Sequence, residues 1–195
     1  LAMEYEKNRR LYHDMNNHNL VMWKLAEKGE YERLHKYIGK LRPLEKDRHR
    51  QWTQNLILDM ILEYKLLAME KKKILYEIKT DMIGEIALAD KELCILLGNL
   101  LDNAIEACEK LEEEKRMVKI EVRKHHSMFM LIVENSCEAH AQVRKGIFRT
   151  TKKDDRMHGY GIHNVRKTVK NHGGQFQYGS RGENFYVKIL IPLVI

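Results

Sequence analysis

Asn99 and Asn103 stand four residues apart in an otherwise almost wholly apolar run, Leu96-Leu97-Gly98-Asn99-Leu100-Leu101-Asp102-Asn103-Ala104-Ile105. Asparagine is a poor helix former because its amide competes for backbone hydrogen bonds, so two of them one turn apart on an apolar helix ask for a chemical reason. A side-chain amide oxygen is a hard, neutral ligand that can hold Mg²⁺ while the metal keeps phosphate oxygens in its shell. The competing account is that both amides bond buried backbone. A second pattern, Gly159-Tyr160-Gly161, directly precedes a helix-like stretch. Glycines there let backbone amides approach an anion, and a helix amino terminus favours negative charge; a simple turn would use the same residues. The third candidate is His13, followed by Asp14 and, one helical turn on, by Asn17. An imidazole titrating near ~6.5 is mostly neutral at cytosolic pH and offers one nitrogen lone pair to an electrophile. A surface histidine without a task is the alternative.

Each candidate needs an element to position it. Leu11, Met15, His18, Met22 and Leu25 recur at spacings of four and three, as do Tyr31, Leu34, Ile38 and Leu41 after the break at Lys28-Gly29. That is a heptad-like seam on two helices. It places residue 13 on the outward side and His18 in the seam, as a packed or hydrogen-bonded histidine. Two helices of this size cannot bury their stripes alone, so the expected solution is a hairpin that pairs with a second copy into a dimeric four-helix bundle. Pro43 stops the second helix, and the charged run 45–50 reads as a connection. Two domains are expected, 1–50 and 51–195, with residues 43–52 as the hinge between them.

Beyond that connection, residues 55–72 resume helical periodicity through Leu58, Leu62, Leu66 and Met69. A strand is expected over 74–80 and a long helix over 90–111. The buried stripe of that helix is Leu93, Leu97, Leu100, Ala104 and Ala107, with Glu92, Asn99, Asn103 and Glu106 together on another face. Alternation predicts strands over 117–124 and 128–135. A polar stretch (136–158), a helix (161–172) and two strands near 175–179 and 185–191 follow. The class is α+β, one mixed sheet covered by helices.

Composition narrows the function classes. With 44% hydrophobic and 32% charged residues the chain is ordinary for a folded soluble protein, and no apolar run approaches the ~20 residues that span a bilayer. Cys94, Cys108 and Cys137 lack paired short spacing, and the first two fall on apolar helix faces; a reducing cytosol suits them. The net charge of +7 fits a nucleotide, an acidic partner or an inner membrane surface equally. Because the basic residues are dispersed and aromatics do not interleave with them, no nucleic-acid partner is expected. The chain opens at Leu1 without a charged and then apolar leader, which reads as a piece of something longer with no signal peptide.

The run from Leu96 to Ala107 resembles the N box of the GHKL ATPase superfamily, and Gly159-Tyr160-Gly161-Ile162 resembles its glycine box. His13-Asp14-Met15-Asn16-Asn17-His18 resembles the phosphoacceptor motif of the AgrC-like peptide-pheromone receptor kinases, a quorum-sensing group. These motifs stand in family order and cover nearly the whole chain. The resemblance implies a two-component sensor histidine kinase whose carboxy-terminal α/β sandwich is a GHKL (Bergerat) ATP-binding domain. It implies ATP and Mg²⁺ as cofactors, with Asn99 and Asn103 on metal and phosphates and Asn103 ahead of Asn99 as the Mg²⁺ ligand. It also implies a lid over 136–158 in which Phe148, Thr151 and Lys152 match family positions, with Gly159 and Gly161 beside the phosphates.

In the same reading His13 accepts the γ-phosphoryl group, Asp14 orients its ring, and Asn17 orients a water that dephosphorylates the regulator. The implied partners are a second copy of the chain and the receiver domain of a response regulator. The implied location is the cytoplasmic side of a bacterial membrane receptor whose sensor lies upstream. Three departures stand out. The Asp-x-Gly-x-Gly box is missing and Asn135-Ser136-Cys137 occupies its place, which keeps Asn135 among the candidate ATP-site residues and leaves open which group contacts adenine. Glu106 stands where many relatives carry a basic phosphate contact, a role that would pass to Lys152 or Arg156, and Asn19 stands where leucine is common. Two alternatives are a phosphotransfer scaffold with a degenerate ATP domain that docks a response regulator, and a GHKL ATPase of another branch, such as an anti-sigma serine kinase.

Overall fold

The computed structural model describes residues 2–41, 51–138 and 160–193. Phe148, Thr151, Lys152, Arg156 and Gly159, together with Pro43, the charged run and most of the expected hinge, lie outside the described residues. The chain divides into two compact units, Leu1–His49 and Arg50–Ile195.

The first unit is a helical hairpin of α1 (Ala2–Glu27) and α2 (Tyr31–Leu41). Gly29 lies at φ +68°, a left-handed conformation that glycine adopts without steric cost. From there the Gly29 N–H donates to the Ala26 carbonyl at 3.0 Å and the Glu30 N–H to the Leu25 carbonyl at 2.9 Å. This pair of bonds is the Schellman closure of a helix, and it reverses the chain. The seam histidine has a partner: His18 Nδ1 lies 2.8 Å from the Tyr37 hydroxyl, joining α1 to α2. The hairpin leaves much of its apolar surface open. No residue of α2 is buried, and Met15, Leu20, Val21 and Trp23 of α1 are exposed.

The second unit is an α/β sandwich. Its sheet has the order β1-β2-β3-β5-β4, built from β1 (Leu75–Thr80), β2 (Met117–His125), β3 (Met128–Ser136), β4 (Gln175–Arg181) and β5 (Asn184–Pro192). β1 runs parallel to β2 and the remaining neighbours are antiparallel. The register aligns Ile78, Ile120, Val133, Val187 and Tyr178 across all five strands. Period-two alternation sends Val118, Ile120 and Val122 into the core and turns Lys119, Glu121 and Arg123 to the other face.

Helices α3 (Leu56–Lys71), α4 (Asp90–Cys108) and α5 (Tyr160–Asn171) cover the apolar face. α4 packs on β2 and β3, α5 on β4 and β5, and α3 against β1 and α4. A polar clasp fixes the entry to α3. Asn55 caps the helix by accepting from the Leu58 N–H at 3.0 Å. The Thr53 N–H and hydroxyl both donate to buried Asp59, at 3.0 and 2.7 Å, and the Asn55 amide donates to the Gly84 carbonyl. The far end of α5 is pinned differently: a Cβ on Gly174 would stand 2.4 Å from the Leu190 carbonyl of β5, so only glycine fits there.

The helix expected over 90–111 ends at Cys108. Its buried stripe runs through Leu93, Leu96, Leu97, Leu100, Leu101, Ala104, Ile105 and Cys108, while Ala107 is only half-buried. The stripe is wider than the sequence reading because α4 meets strands on one side and helices α3 and α5 on its flanks. Cys94, placed on an apolar face by sequence, is exposed. No helix among the described residues is long and apolar enough to cross a membrane.

Candidate functional site

The rotation of α4 decides where its amides point. With Leu96, Leu97, Leu100, Leu101 and Ala104 turned inward, Asn99 and Asn103, one turn apart, are left at the flank that faces the first turn of α5. There Gly161 stands against them. A Cβ at this position would lie 3.3 Å from Asn99 Oδ1, 3.6 Å from its Cγ and 3.7 Å from Asn103 Nδ2. Gly161 is part of α5 and is not among the positive-φ glycines, so its lack of a side chain serves close approach. The amides therefore meet bare backbone at a helix amino terminus, where N–H groups without intrahelical partners and the helix dipole favour anions. Asn99 is half-buried and Asn103 exposed, which leaves the second amide open to a ligand.

A neutral amide pair beside backbone N–H groups suits a metal carried by phosphates better than a metal caged by protein. Among the described residues there is no cluster of three or more His, Cys, Asp or Glu able to hold an ion. Mg²⁺ binds in this way, through one or two protein oxygens plus phosphate and water, and the donors present fit it.

Asn135 takes a different place. It lies on the inward row of β3, 5% exposed, and its Nδ2 donates to the Ser136 carbonyl at 2.9 Å. That bond fixes the amide orientation and leaves Oδ1 as the acceptor. Cys108 Sγ approaches the same Ser136 carbonyl at 3.7 Å and the Met117 carbonyl at 3.5 Å. Burial pushes the Cys108 thiol up; burial, then Glu183 and Glu138, push up Cys137. Neither is an activated nucleophile.

Glu92, grouped by sequence with the two asparagines, is committed elsewhere. Its Oε2 accepts from the Ala89 N–H at 3.2 Å and lies 3.0 Å from His172 Nε2. The His172 bond first, and the Ala89 N–H second, hold its carboxyl below the usual glutamate range. Glu92 thus ties the start of α4 to the residue after α5. The third-position glutamate of a capping box is the signal that could have revealed this role. Lys65 of α3 pairs with Asp102, so the acid lying between the two asparagines in sequence faces another helix.

In the helical hairpin, His13 is 73% exposed at its side chain. His13 Nδ1 lies 3.4 Å from Asp14 Oδ1 and 3.3 Å from Asn17 Nδ2. Of the residues singled out by sequence, two groups are brought together: Asn99, Asn103 and Gly161 in one unit, and His13, Asp14 and Asn17 in the other.

The family description "GHKL domain" matches residues 88–192. Among solved structures, the catalytic domain of histidine kinase ThkA superposes with a TM-score of 0.58 at 21% identity, covering 73% of this chain and 95% of that one. Histidine kinase AdeS of Acinetobacter baumannii gives 0.52 at 16% identity over 86% of this chain and 82% of that one. Full-length ShkA in complex with AMPPNP gives 0.54 at 15% identity over 71% of this chain and 29% of that one. At such identities the likeness is one of fold. No curated protein matches the chain. Since the match takes in the asparagine helix, Gly161 and four of the five strands, and extends over more than half of the 195 residues, the chain belongs to the GHKL family.

Proposed function

We propose that this chain is the kinase portion of a two-component sensor histidine kinase, which takes the γ-phosphoryl group of ATP onto His13 and passes it to an aspartate of a response regulator. The observation that carries the reading is the approach of Gly161 to Asn99 and Asn103 at the amino terminus of α5, a corner suited to a metal-bound triphosphate. Asn103 would hold Mg²⁺, with Asn99 beside it, and the ion would supply neutralisation of charge on the phosphates. Asn135 Oδ1 is assigned to the adenine edge, with Phe148, Thr151, Lys152 and Gly159 assigned to the lid and phosphate side. The exposure of His13, with Asp14 and Asn17 at its ring, supports its role as acceptor. Asn17 is further assigned to orient a water for dephosphorylating the regulator.

The open apolar surface of α1 and α2 supports pairing of two copies into a four-helix bundle, with residues 1–50 as the dimerisation and phosphoacceptor domain and 51–195 as the ATP domain. We further place the chain on the cytoplasmic side of a bacterial membrane receptor of the AgrC-like pheromone group, with its sensor upstream.

Incubation of the purified chain with Mg²⁺ and γ-labelled ATP tests this directly. Label that survives alkali and is lost in acid is phosphohistidine; His13→Ala should abolish it and leave nucleotide binding intact, whereas Asn103→Ala should lose nucleotide binding. Stable label on His13→Ala overturns the acceptor assignment. Nucleotide binding without label points to another GHKL branch, and the absence of both points to a phosphotransfer scaffold.

A further inference from the structure

We propose that Asp14 and Asn17 act in opposition on a single ring nitrogen of His13, Asp14 preparing the ring to accept a phosphoryl group and Asn17 restraining it. The consequence for phosphorylation rests on the kinase reading; the opposition itself does not. Both side chains address the same atom, Asp14 Oδ1 at 3.4 Å and Asn17 Nδ2 at 3.3 Å from Nδ1. A neutral imidazole carries one N–H and one lone pair. A carboxylate can only accept, so its bond requires the proton on Nδ1 and leaves the Nε2 lone pair free. An amide nitrogen can only donate, so its bond requires the lone pair on Nδ1 and puts the proton on Nε2, where it blocks attack from that nitrogen. One tautomer satisfies Asp14, the other satisfies Asn17, and none satisfies both.

Both contacts are longer than a strong hydrogen bond, and His13 and Asp14 are 73% and 69% exposed. Neither neighbour locks the ring, and the two leave it poised between tautomers. In the step itself the Nε2 lone pair forms the N–P bond, the bond from phosphorus to the bridging oxygen breaks, and ADP leaves with that electron pair. The proton already on Nδ1 stays there. The product ring is then cationic, which Asp14 stabilises and which the N–H groups of Asn17 oppose. Asn17 is thus a positioning residue whose removal should speed the reaction.

The test is the tautomer of His13 in the chain of residues 1–195 labelled with ¹⁵N-histidine, read from ring ¹⁵N shifts and couplings and assigned with His13→Gln. Asn17→Ala should move the ratio of Nδ1–H to Nε2–H up by about threefold, the size of one weak solvent-exposed hydrogen bond. The initial rate of His13 labelling should rise with the fraction of the Nδ1–H tautomer, and so by less than the ratio does. Asp14→Asn should move both the other way. An unchanged ratio in Asn17→Ala, or a move toward Nε2–H, overturns the proposal, the latter because it would mean that the amide oxygen and not its nitrogen faces the ring. If the ratios move as expected while the wild-type chain takes no label, the opposition at Nδ1 is upheld and the kinase reading fails.

Discussion

Gly161 illustrates how a residue without a side chain can be the most constrained in a site. Alanine at this position is favoured over glycine within a helix by about 0.5–1 kcal/mol, yet its methyl carbon would stand 3.3 Å from Asn99 Oδ1, tighter than ordinary contact. The two effects separate in experiment: Gly161→Ala should leave the melting temperature unchanged or slightly raised while weakening nucleotide binding about tenfold, as measured by thermal denaturation and by titration with a fluorescent nucleotide. Unchanged nucleotide binding in Gly161→Ala would refute the close-approach account. The asparagine pair was legible from sequence because two amides in an apolar helix are conspicuous. The true partners of Glu92 were not, because helical periodicity places a side chain on a face without saying whether a neighbouring helix ends there. His172, its partner, is 80 residues away in sequence.

Among the elements, α3 depends on the clasp at its entry. Asp59→Ala would strand the Thr53 N–H and hydroxyl, both now donating to a carboxylate in a buried setting, and should cost about 2 kcal/mol in urea denaturation; a change below about 0.5 kcal/mol would show that water replaces the acid. The bridge between α4 and α5 should respond to acid. The Glu92 carboxyl is held below its ordinary value of 4.5, so its contribution is fully present above that pH and is lost as pH falls through the lower value in the folded state. Glu92→Gln should therefore flatten the acid limb of stability below about pH 4.5, and an unchanged limb would assign acid unfolding to other groups. Sequence periodicity located the strands to within one or two residues, since alternation maps directly onto a half-covered sheet. It overran the end of α4 because Glu109, Lys110 and Leu111 remain compatible with a helix, while the chain turns there on bonds from the Glu109 and Lys110 N–H groups to the Ile105 and Ala107 carbonyls.

For the whole molecule, the hairpin and the sandwich differ in self-sufficiency. The sandwich has a continuous buried core, whereas no residue of α2 is fully buried. We expect the chain to sediment as a dimer, and Met15→Glu, which puts charge on the exposed apolar seam, to weaken self-association at least tenfold while nucleotide binding stays intact. A wild-type monomer at micromolar concentration would remove the four-helix bundle. The two ends of α5 also differ, and the difference has a mechanical meaning. Its far end is held by the close packing of Gly174 against the Leu190 carbonyl and by His172 on Glu92; its near end carries Gly161 beside the asparagines. The helix is a lever of 12 residues, about 18 Å long, with its fulcrum set in the sheet. A tilt of a few degrees at that pivot would carry the tip by about an ångström, so the packing at Gly174 sets the angle at which Gly161 meets the asparagines.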